Sequence, residues 1–459
     1  MFRSKNVKRK GGHKMMWHAF VCHIIFLKMR KYKNAFIIEN NNNYILFNIY
    51  SGAIASIEKK GTLENTIDEM KYKLLKKNLI IMEEDASRLN AISRYITEKS
   101  KLTTDTLTIT DVSSYSCNLN CVYCMQQNTF KNVKELTIKE RIKVWKRLID
   151  ITKTNRKELY LFGGEPFLRP KYVENLLREA HKQGIIFDEI SAVTNGTMID
   201  EKIIALINNY KLCKLQITLD GLASIHNKRR NNESNKNYFD IIINNIHYLL
   251  KKTKVQIIIN TVLDAGNCIN YKDMIDYLLR EFDTEDTTKR IYFNVGMECH
   301  PQNKSVYTKE NILNMKKYGM LLNKYNEYIQ CQGGNITSIL PAPLCVNSRE
   351  NDIIVAPDGD IYKCMSGIGI SQFRLCTKDE LFEDDLKFYY KQALLIENDH
   401  REECFNCDYY AICNGGCKYS AYINKQDIDC QKEYYENRLP GIVQLMYNEG
   451  IKTGEVLQL

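Results

Sequence analysis

Ser114–Gln126, SYSCNLNCVYCMQ, sets Cys117, Cys121 and Cys124 in the frame C-x3-C-x2-C directly after a predicted strand. A structural zinc site takes four ligands, and iron–sulfur clusters are ordinarily held by four thiolates. Three thiolates on one loop leave one iron of a [4Fe–4S] cube open to a small chelating molecule, and Tyr123 in the same loop can shield the cluster. A partial zinc site, or cysteines with no shared role, is the plainer alternative for the same frame.

Outward from this loop, apolar strands are predicted at Leu107–Val112, Leu159–Phe162, Ile190–Thr194, Lys214–Leu219, Val255–Val262 and Ile291–Val295. Helical patterns fill the gaps, as at Ile138–Ile151, Tyr172–Lys182, Phe239–Leu250 and Tyr271–Phe282. Such βα repeats imply parallel strands with right-handed crossovers. Polar motifs sit at the strand ends: FGGEP (Phe162–Pro166), TNGT (Thr194–Thr197), and TLDG (Thr218–Gly221) followed by HNKRR. Paired glycines let a ligand approach the backbone, and Glu165 can accept hydrogen bonds from an ammonium group. Alone, Gly-Gly-Glu reads as a plain turn.

The cysteine frame, with FGGEP one βα unit later, resembles the radical S-adenosylmethionine (SAM) enzymes. That resemblance implies an α/β fold, a partial (β/α)6 barrel whose functional residues lie at the carboxyl ends of the strands, as in full barrels. It implies a cluster on Cys117, Cys121 and Cys124, with the SAM amino group near Gly163, Gly164 and Glu165. The SAM carboxylate is expected at Thr218 and Arg230, although Arg229 is adjacent and a surface arginine is the alternative. The implied chemistry is one-electron reduction of chelated SAM, release of methionine, and a 5′-deoxyadenosyl radical that removes an unactivated hydrogen.

A second constellation lies downstream: Cys345, the G-x4-C segment from Gly359 to Cys364, then CFNCDYYAICNGGC with Cys404, Cys407, Cys413 and Cys417, and finally Cys430. Two structural zinc sites could use such spacings. The full order resembles the SPASM extension of radical SAM proteins, which binds auxiliary [4Fe–4S] clusters and brings the expected number to three. The resemblance assigns Cys404, Cys407, Cys413 and Cys430 to a distal cluster, and Cys345, Cys364 and Cys417 to a proximal one. Ile339 stands where some relatives supply a fourth proximal cysteine, leaving Cys331, Cys376 or an open iron. Cys22, Cys213, Cys268 and Cys299 stand outside both sets and read as packing residues.

The chain of 459 residues, 44% hydrophobic and 26% charged, fits two or three globular domains. Its 16 cysteines cluster in metal-like spacings, which favours a reducing cytoplasm over a disulfide scaffold. A formal charge of +10 without a basic stripe and interleaved aromatics argues against nucleic acid. Met15–Leu27 is apolar but too short to span a membrane.

The expected layout begins with residues 1–33 as a basic tail or an upstream start, Met29 reading as the natural one. Residues 34–105 form a small α+β module, either a cap or one resembling winged-helix peptide-recognition modules. The barrel follows at 106–300, a helical linker at 301–340, the SPASM domain at 341–437 and a tail at 438–459. Proteins of this layout mostly modify peptides. The expected function is an oxidoreductase, a maturase of a ribosomally made precursor peptide that forms a thioether, supplied by a small electron donor such as flavodoxin or ferredoxin. The alternatives are an anaerobic sulfatase maturase and a non-catalytic iron–sulfur sensor. Sulfatase maturases typically place an Asp base after the G-x4-C cysteine, where this chain has Met365, and lack a long N-terminal module.

Overall fold

The βα alternation appears strand for strand. The computed structural model describes residues 26–28, 35–40, 42–80, 105–126, 133–230, 236–297, 313–337, 345, 348–396, 402–453 and 457–458, with scattered helical positions between 88 and 102. Strands β1 (Phe26–Lys28), β2 (Ala35–Asn40), β3 (Asn43–Asn48) and β4 (Ile54–Glu58) precede helix α1 (Leu63–Lys76). The barrel strands are β5 (Thr106–Val112), β6 (Arg156–Phe162), β7 (Glu189–Thr194), β8 (Lys214–Thr218), β9 (Gln256–Leu263) and β10 (Ile291–Met297). Between them run α2 (Ile138–Thr152), α3 (Pro170–Lys182), α4 (Glu201–Tyr210), α5 (Ala223–Arg229), α6 (Tyr238–Lys252) and α7 (Tyr271–Glu281).

All neighbouring pairs from β5 to β10 are parallel and in sequence order, as right-handed βα units require. Local chemistry sets the helix starts. Thr137 and Glu140 form a reciprocal capping box at α2, and Asp200 accepts the Lys202 and Ile203 N–H groups at α4. Along each strand, alternate residues such as Leu107, Ile109, Leu215 and Ile217 pack against the helices. The intervening residues, Thr218 among them, face the barrel interior.

The segment carrying the C-terminal cysteines does not stand apart. After α8 (Met315–Cys331), β11 (Asn335–Ile336) pairs with β10, while β12 (Asp352–Val355) pairs in parallel with β5. Strands β13 (Ile361–Tyr362) and β14 (Arg374–Cys376) continue antiparallel from β12, so a single ten-stranded sheet runs β11-β10-β9-β8-β7-β6-β5-β12-β13-β14. Strands of two to four residues are too short to announce themselves by alternation. The first barrel strand is thus shared by both domains.

Two boundaries drawn from sequence are corrected. Phe26–Lys28, expected within a tail, pairs antiparallel with Phe36–Ile38. Residues 438–459 are no tail: after α9 (Asp385–Ile396), helix α10 (Lys432–Thr453) runs through the boundary, and β15 (Leu457–Gln458) then pairs with β4. Pro440 and Gly441 disguise the helix in sequence. Gly319 and Gly441 allow α8 and α10 to touch, since a Cβ at Gly441 would lie 2.2 Å from Asn323 and one at Gly319 2.9 Å from the Tyr434 carbonyl.

The N-terminal sheet is covered on both faces. Ile37, Leu46 and Ile57 pack with Ile67 and Leu74 of α1, while Phe36, Ile45 and Phe47 pack with Leu439 and Ile442 of α10 and with Tyr409. Among the described residues no helix is long and apolar enough to cross a membrane.

At the end of β5, Asp111 is fully buried and accepts from Arg141 Nη1 at 2.7 Å and Trp145 Nε1 at 3.2 Å on α2. Arg141 Nη2 also donates to the Pro357 carbonyl after β12, at 3.0 Å. One buried ion pair therefore joins the first strand, its crossover helix and the C-terminal strands. Arg141→Ala leaves Asp111 uncompensated, and a loss of about 3–5 kcal/mol is expected. A lower denaturant midpoint at unchanged slope would register it; an unmoved midpoint would mean that the pair does not hold these elements together.

Candidate functional site

The cysteine loop leaves β5 and lies on the two glycines that end β6. Gly164 N–H donates to the Ser114 carbonyl at 3.0 Å, and Glu165 N–H to the Ser116 carbonyl at 2.9 Å. Those oxygens fill the space where side chains would begin. A Cβ on Gly163 would be 2.5 Å from Ser114 O, and one on Gly164 would be 2.2 Å from Ser116 O. Gly163 also has φ +142°, which disfavours any other residue. The close neighbour that this glycine pair admits is the loop's own backbone.

Glu165 is buried and anchored before any ligand is considered. Its carboxylate accepts from Thr194 Oγ1 at 2.7 Å, the Asn195 N–H at 2.6 Å and the Phe167 N–H at 3.0 Å. Burial pushes its pKa above the usual carboxylate range, and these three donors pull against that shift. A carboxylate offers about four acceptor directions, so capacity for an ammonium remains. Its first role is to tie the β6 turn to the β7 turn.

The TNGT turn reaches the loop directly. Asn195 Nδ2 donates to Asn118 Oδ1 at 2.8 Å and points at Cys117 Sγ at 3.8 Å, while Asn118 Nδ2 donates to Thr197 Oγ1 at 2.8 Å. The Leu119 N–H also points at Cys117 Sγ, at 3.4 Å. Sequence reading singled out neither Asn118 nor Asn195. The polar turn after β7 was the available signal.

The two adjacent arginines separate cleanly. Arg229 pairs with Asp264, and lies 3.5 Å from Asp220. Arg230 is buried and donates from Nη1 to the Tyr123 hydroxyl at 2.8 Å; its Nε is buried without a partner. The surface-arginine alternative therefore fails for Arg230. The Arg229 carbonyl accepts the Val122 N–H at 2.9 Å, pinning the end of α5 to the cysteine loop.

Thr218 is buried at the end of β8, in register with Asn260 on β9, which pairs with Asn294 on β10. Asn294 Nδ2 donates to Asn260 Oδ1 at 2.8 Å, giving a polar row at the barrel mouth that sequence reading did not identify.

The loop thiols sit in a setting that opposes their charge. Burial raises the Cys117 pKa and pushes Cys121 up to about 12, with Arg230 the leading opposing influence at Cys121. Thiolates there need a further positive charge, which a bound cluster's iron would supply.

Among the C-terminal cysteines, electrostatic influence links some near neighbours. Burial, followed by the neighbouring Cys345 and Cys417, raises the Cys364 pKa. Burial likewise pushes Cys413 up to about 11, with Cys407 and Cys430 as neighbours, and Cys404 and Cys413 both act on Tyr410. Asn414, Gly415 and Gly416 all have positive φ, of 47°, 86° and 82°. This left-handed run turns the chain between Cys413 and Cys417. Gly416 permits no side chain, since its Cβ would lie 1.8 Å from the Asp429 carbonyl.

Among the described residues no three His, Cys, Asp or Glu side chains form a group fit for a single metal ion. Ligands of a four-iron cube each hold a different iron and need no such convergence.

Of the two candidates for a fourth proximal ligand, Cys376 is buried on β14 within the main core. Cys331 ends α8 just before β11, at the opposite edge of the ten-stranded sheet from β13. Met365 packs with Cys364 and Cys417 against Tyr362, Ile368 and Tyr419. A cavity of about 340 Å³ opens beside Cys417, lined by Phe373, Leu395, Tyr422 and Asp429 among others. Cys268 is buried and Cys213 half-buried, as packing predicts; Cys22 and Cys299 lie outside the described residues.

Comparison with known proteins bears on the fold and on the domain that carries the cysteine loop. Residues 112–278 match the Radical SAM superfamily. The chain is 27% identical over 374 residues to the cysteine-type anaerobic sulfatase-maturating enzyme of Clostridium novyi, covering 71% of this chain and 93% of that protein. The solved structure of anSMEcpe with bound AdoMet and Cp18Cys peptide matches with TM-score 0.58 at 21% identity, over 75% of this chain and 99% of that one. Streptococcus suis SuiB bound to S-adenosylmethionine matches with TM-score 0.53 at 16% identity, over 87% of this chain and 98% of that one. The chain carries a radical SAM domain and is an enzyme.

Gly164→Ala tests the support of the loop. The new methyl would strike the Ser116 carbonyl, so the variant is expected to keep its circular dichroism while losing the iron that Cys117, Cys121 and Cys124 would hold. Full iron content with unchanged SAM cleavage would show that the loop docks without this contact.

Proposed function

We propose that this radical SAM enzyme is a maturase of a ribosomally made peptide and forms a thioether from a peptide cysteine to a carbon. The observation that carries this reading is the proximal set of three thiols, Cys345, Cys364 and Cys417, with Cys376 held in the core and Cys331 across the sheet. On this reading a coordination position is open to a substrate thiolate, and the cavity beside Cys417 would be the route to it.

Two further features support a peptide substrate. The N-terminal sheet packs on the loop of the distal set, Phe36 against Tyr409 at 5.5 Å between ring centroids, and Tyr409 lies between Cys407 and Cys413. A module that recognises a peptide there would deliver it beside the auxiliary cysteines. Met365 meanwhile occupies an apolar site where the sulfatase-maturase pattern calls for a carboxylate base.

The residues present fit both cofactors of the class. Cys117, Cys121 and Cys124 would hold the first cluster, and the other seven cysteines two auxiliary ones. Glu165 and the glycine turn would receive the SAM amino group. Thr218 and the unpartnered edge of Arg230 would receive its carboxylate, a charge-assisted contact. When bound, the cluster and SAM supply a carbon radical able to take an unactivated hydrogen. The chain's own part is to fix the loop, orient SAM at the barrel mouth and hold the substrate sulfur near the reacting carbon. A small electron donor such as flavodoxin or ferredoxin would deliver the electrons.

The second reading, an anaerobic sulfatase maturase that converts Cys or Ser to formylglycine, is favoured by the similarity to the Clostridium novyi enzyme. The product separates the two: a thioether retains all sulfur, loses two hydrogens and consumes a free thiol, formylglycine made from cysteine loses sulfur, and formylglycine made from serine loses two hydrogens but leaves an aldehyde that hydrazines trap.

Anaerobically reconstituted protein with SAM and dithionite is expected to yield 5′-deoxyadenosine and to carry roughly 12 iron atoms in three clusters. Replacing Cys117, Cys121 and Cys124 together by Ala should abolish the product and remove about one third of the iron. Neither Cys331→Ala nor Cys376→Ala should lower iron content. Loss of about four irons on either change would identify a fourth ligand and remove the thiolate-binding step.

A further inference from the structure

The TLDG motif contains one residue that the proposed chemistry leaves unused. Asp220 is 1% exposed and sits where the β8 turn meets the cysteine loop. Its Oδ2 accepts from the Tyr123 hydroxyl at 2.5 Å, and its Oδ1 from the Val262 N–H at 3.2 Å. The same phenol oxygen accepts from Arg230 Nη1 at 2.8 Å. A hydroxyl can donate once while accepting, so Tyr123 joins a cation to an anion through one atom.

Charge accounting places this pair at one side of a four-member network. Four buried charges lie here, Arg229, Arg230, Asp220 and Asp264. Arg229 is in close contact with Asp264, donates to the Val262 carbonyl at 3.2 Å and has its Nε 3.5 Å from Asp220 Oδ2. Arg230 and Asp220 flank the Tyr123 hydroxyl, which lies between Cys121 and Cys124 in the chain, and are the two charges bonded to it. The guanidinium of Arg230 lies 6.0 Å from the Tyr123 ring centroid, and its backbone N–H is fixed by the His226 carbonyl at 2.9 Å.

We propose that Arg230 and Asp220, bridged by the Tyr123 hydroxyl, form a buried charge pair that sets the reduction potential of the cluster held by Cys117, Cys121 and Cys124. The inference rests on the reading that these cysteines hold an iron–sulfur cluster. Reduction adds one electron, from a low-potential donor, to a centre already surrounded by thiolate charge. A fixed cation nearby stabilises the reduced state and a fixed anion the oxidised state, and burial keeps water from screening either. Arg230 therefore raises the potential and Asp220 restrains it. The phenol holds both at a set distance from the loop. Asp220 acts on the cluster as a positioning and charge residue without touching it.

The test is an anaerobic spectroelectrochemical titration of the reconstituted full chain without SAM, so that any contact of Arg230 with SAM cannot contribute. The signal of this cluster is the one that disappears when Cys117, Cys121 and Cys124 are all replaced by Ala. At unchanged iron content, Arg230→Gln should lower its midpoint potential, Arg230→Lys should leave it near the wild-type value, and Asp220→Asn should raise it. General damage to the loop would not produce opposite signs. Unchanged potentials, or shifts of the same sign in Arg230→Gln and Asp220→Asn, would overturn the proposal. If Arg230→Gln takes up no iron, Asp220→Asn decides alone: a rise supports the pair, and no change or a fall overturns it. A wild-type chain lacking the loop's cluster signal would instead defeat the underlying cluster assignment.

Discussion

Everything at the barrel mouth depends on the absence of two side chains. The carbonyl oxygens of Ser114 and Ser116 occupy the positions that Cβ atoms of Gly163 and Gly164 would take. Contact this close is available only between bare backbones, and it presses the cysteine loop onto the next strand over several residues. The neighbouring turns then attach to a loop already placed: Asn195 through Asn118, Arg229 through the Val122 N–H, and Arg230 and Asp220 through Tyr123. Backbone packing gives the loop its position. Polar side chains give it its orientation and charge.

The same strand carries a second obligation. β5 leads into the cysteine loop on one side and pairs with β12 of the C-terminal segment on the other. Asp111, near its end, is held by Arg141, whose second nitrogen reaches the turn after β12. A buried ion pair is an uncertain contributor to net stability, because desolvation offsets much of the attraction. Its value here is geometric, since it fixes how the auxiliary cysteines stand relative to the barrel. Val112 and Tyr115 pack in the same apolar cluster as Cys364 and Cys417, so the path from loop to proximal cysteines passes through well-packed side chains.

The barrel was legible in the sequence because its strands are long, apolar and separated by amphipathic helices; β6, β8 and β10 appear within a few residues of their expected ends. The cysteine spacings were legible because metal chemistry tolerates little variation. Short elements and tertiary overrides were not. Strands β11 to β14 carry too few residues for a periodic signal, and α10 passes through Pro440 and Gly441, which local propensity reads as a break. Packing against α8 outweighs that propensity. The site followed the same division. Glu165 and Arg230 were found by motif, but Asn118, Asn195 and Asp220 act through contacts between turns distant in sequence, which no single motif records.

Splitting the auxiliary cysteines into two groups is a problem in chain reversal. Cys413 and Cys417 are separated by three residues, a spacing that would keep both on one side if the helix ending at Cys413 simply continued. Asn414 ends that helix in the left-handed region, and Gly415 and Gly416 extend the same hand. Asparagine tolerates this conformation and glycine adopts it without steric cost, whereas a β-branched residue would resist it. The Asp429 carbonyl closing over Gly416 then brings the segment leading to Cys430 against the turn. A single turn thus sends Cys417 toward Cys364 and draws Cys430 toward Cys407 and Cys413.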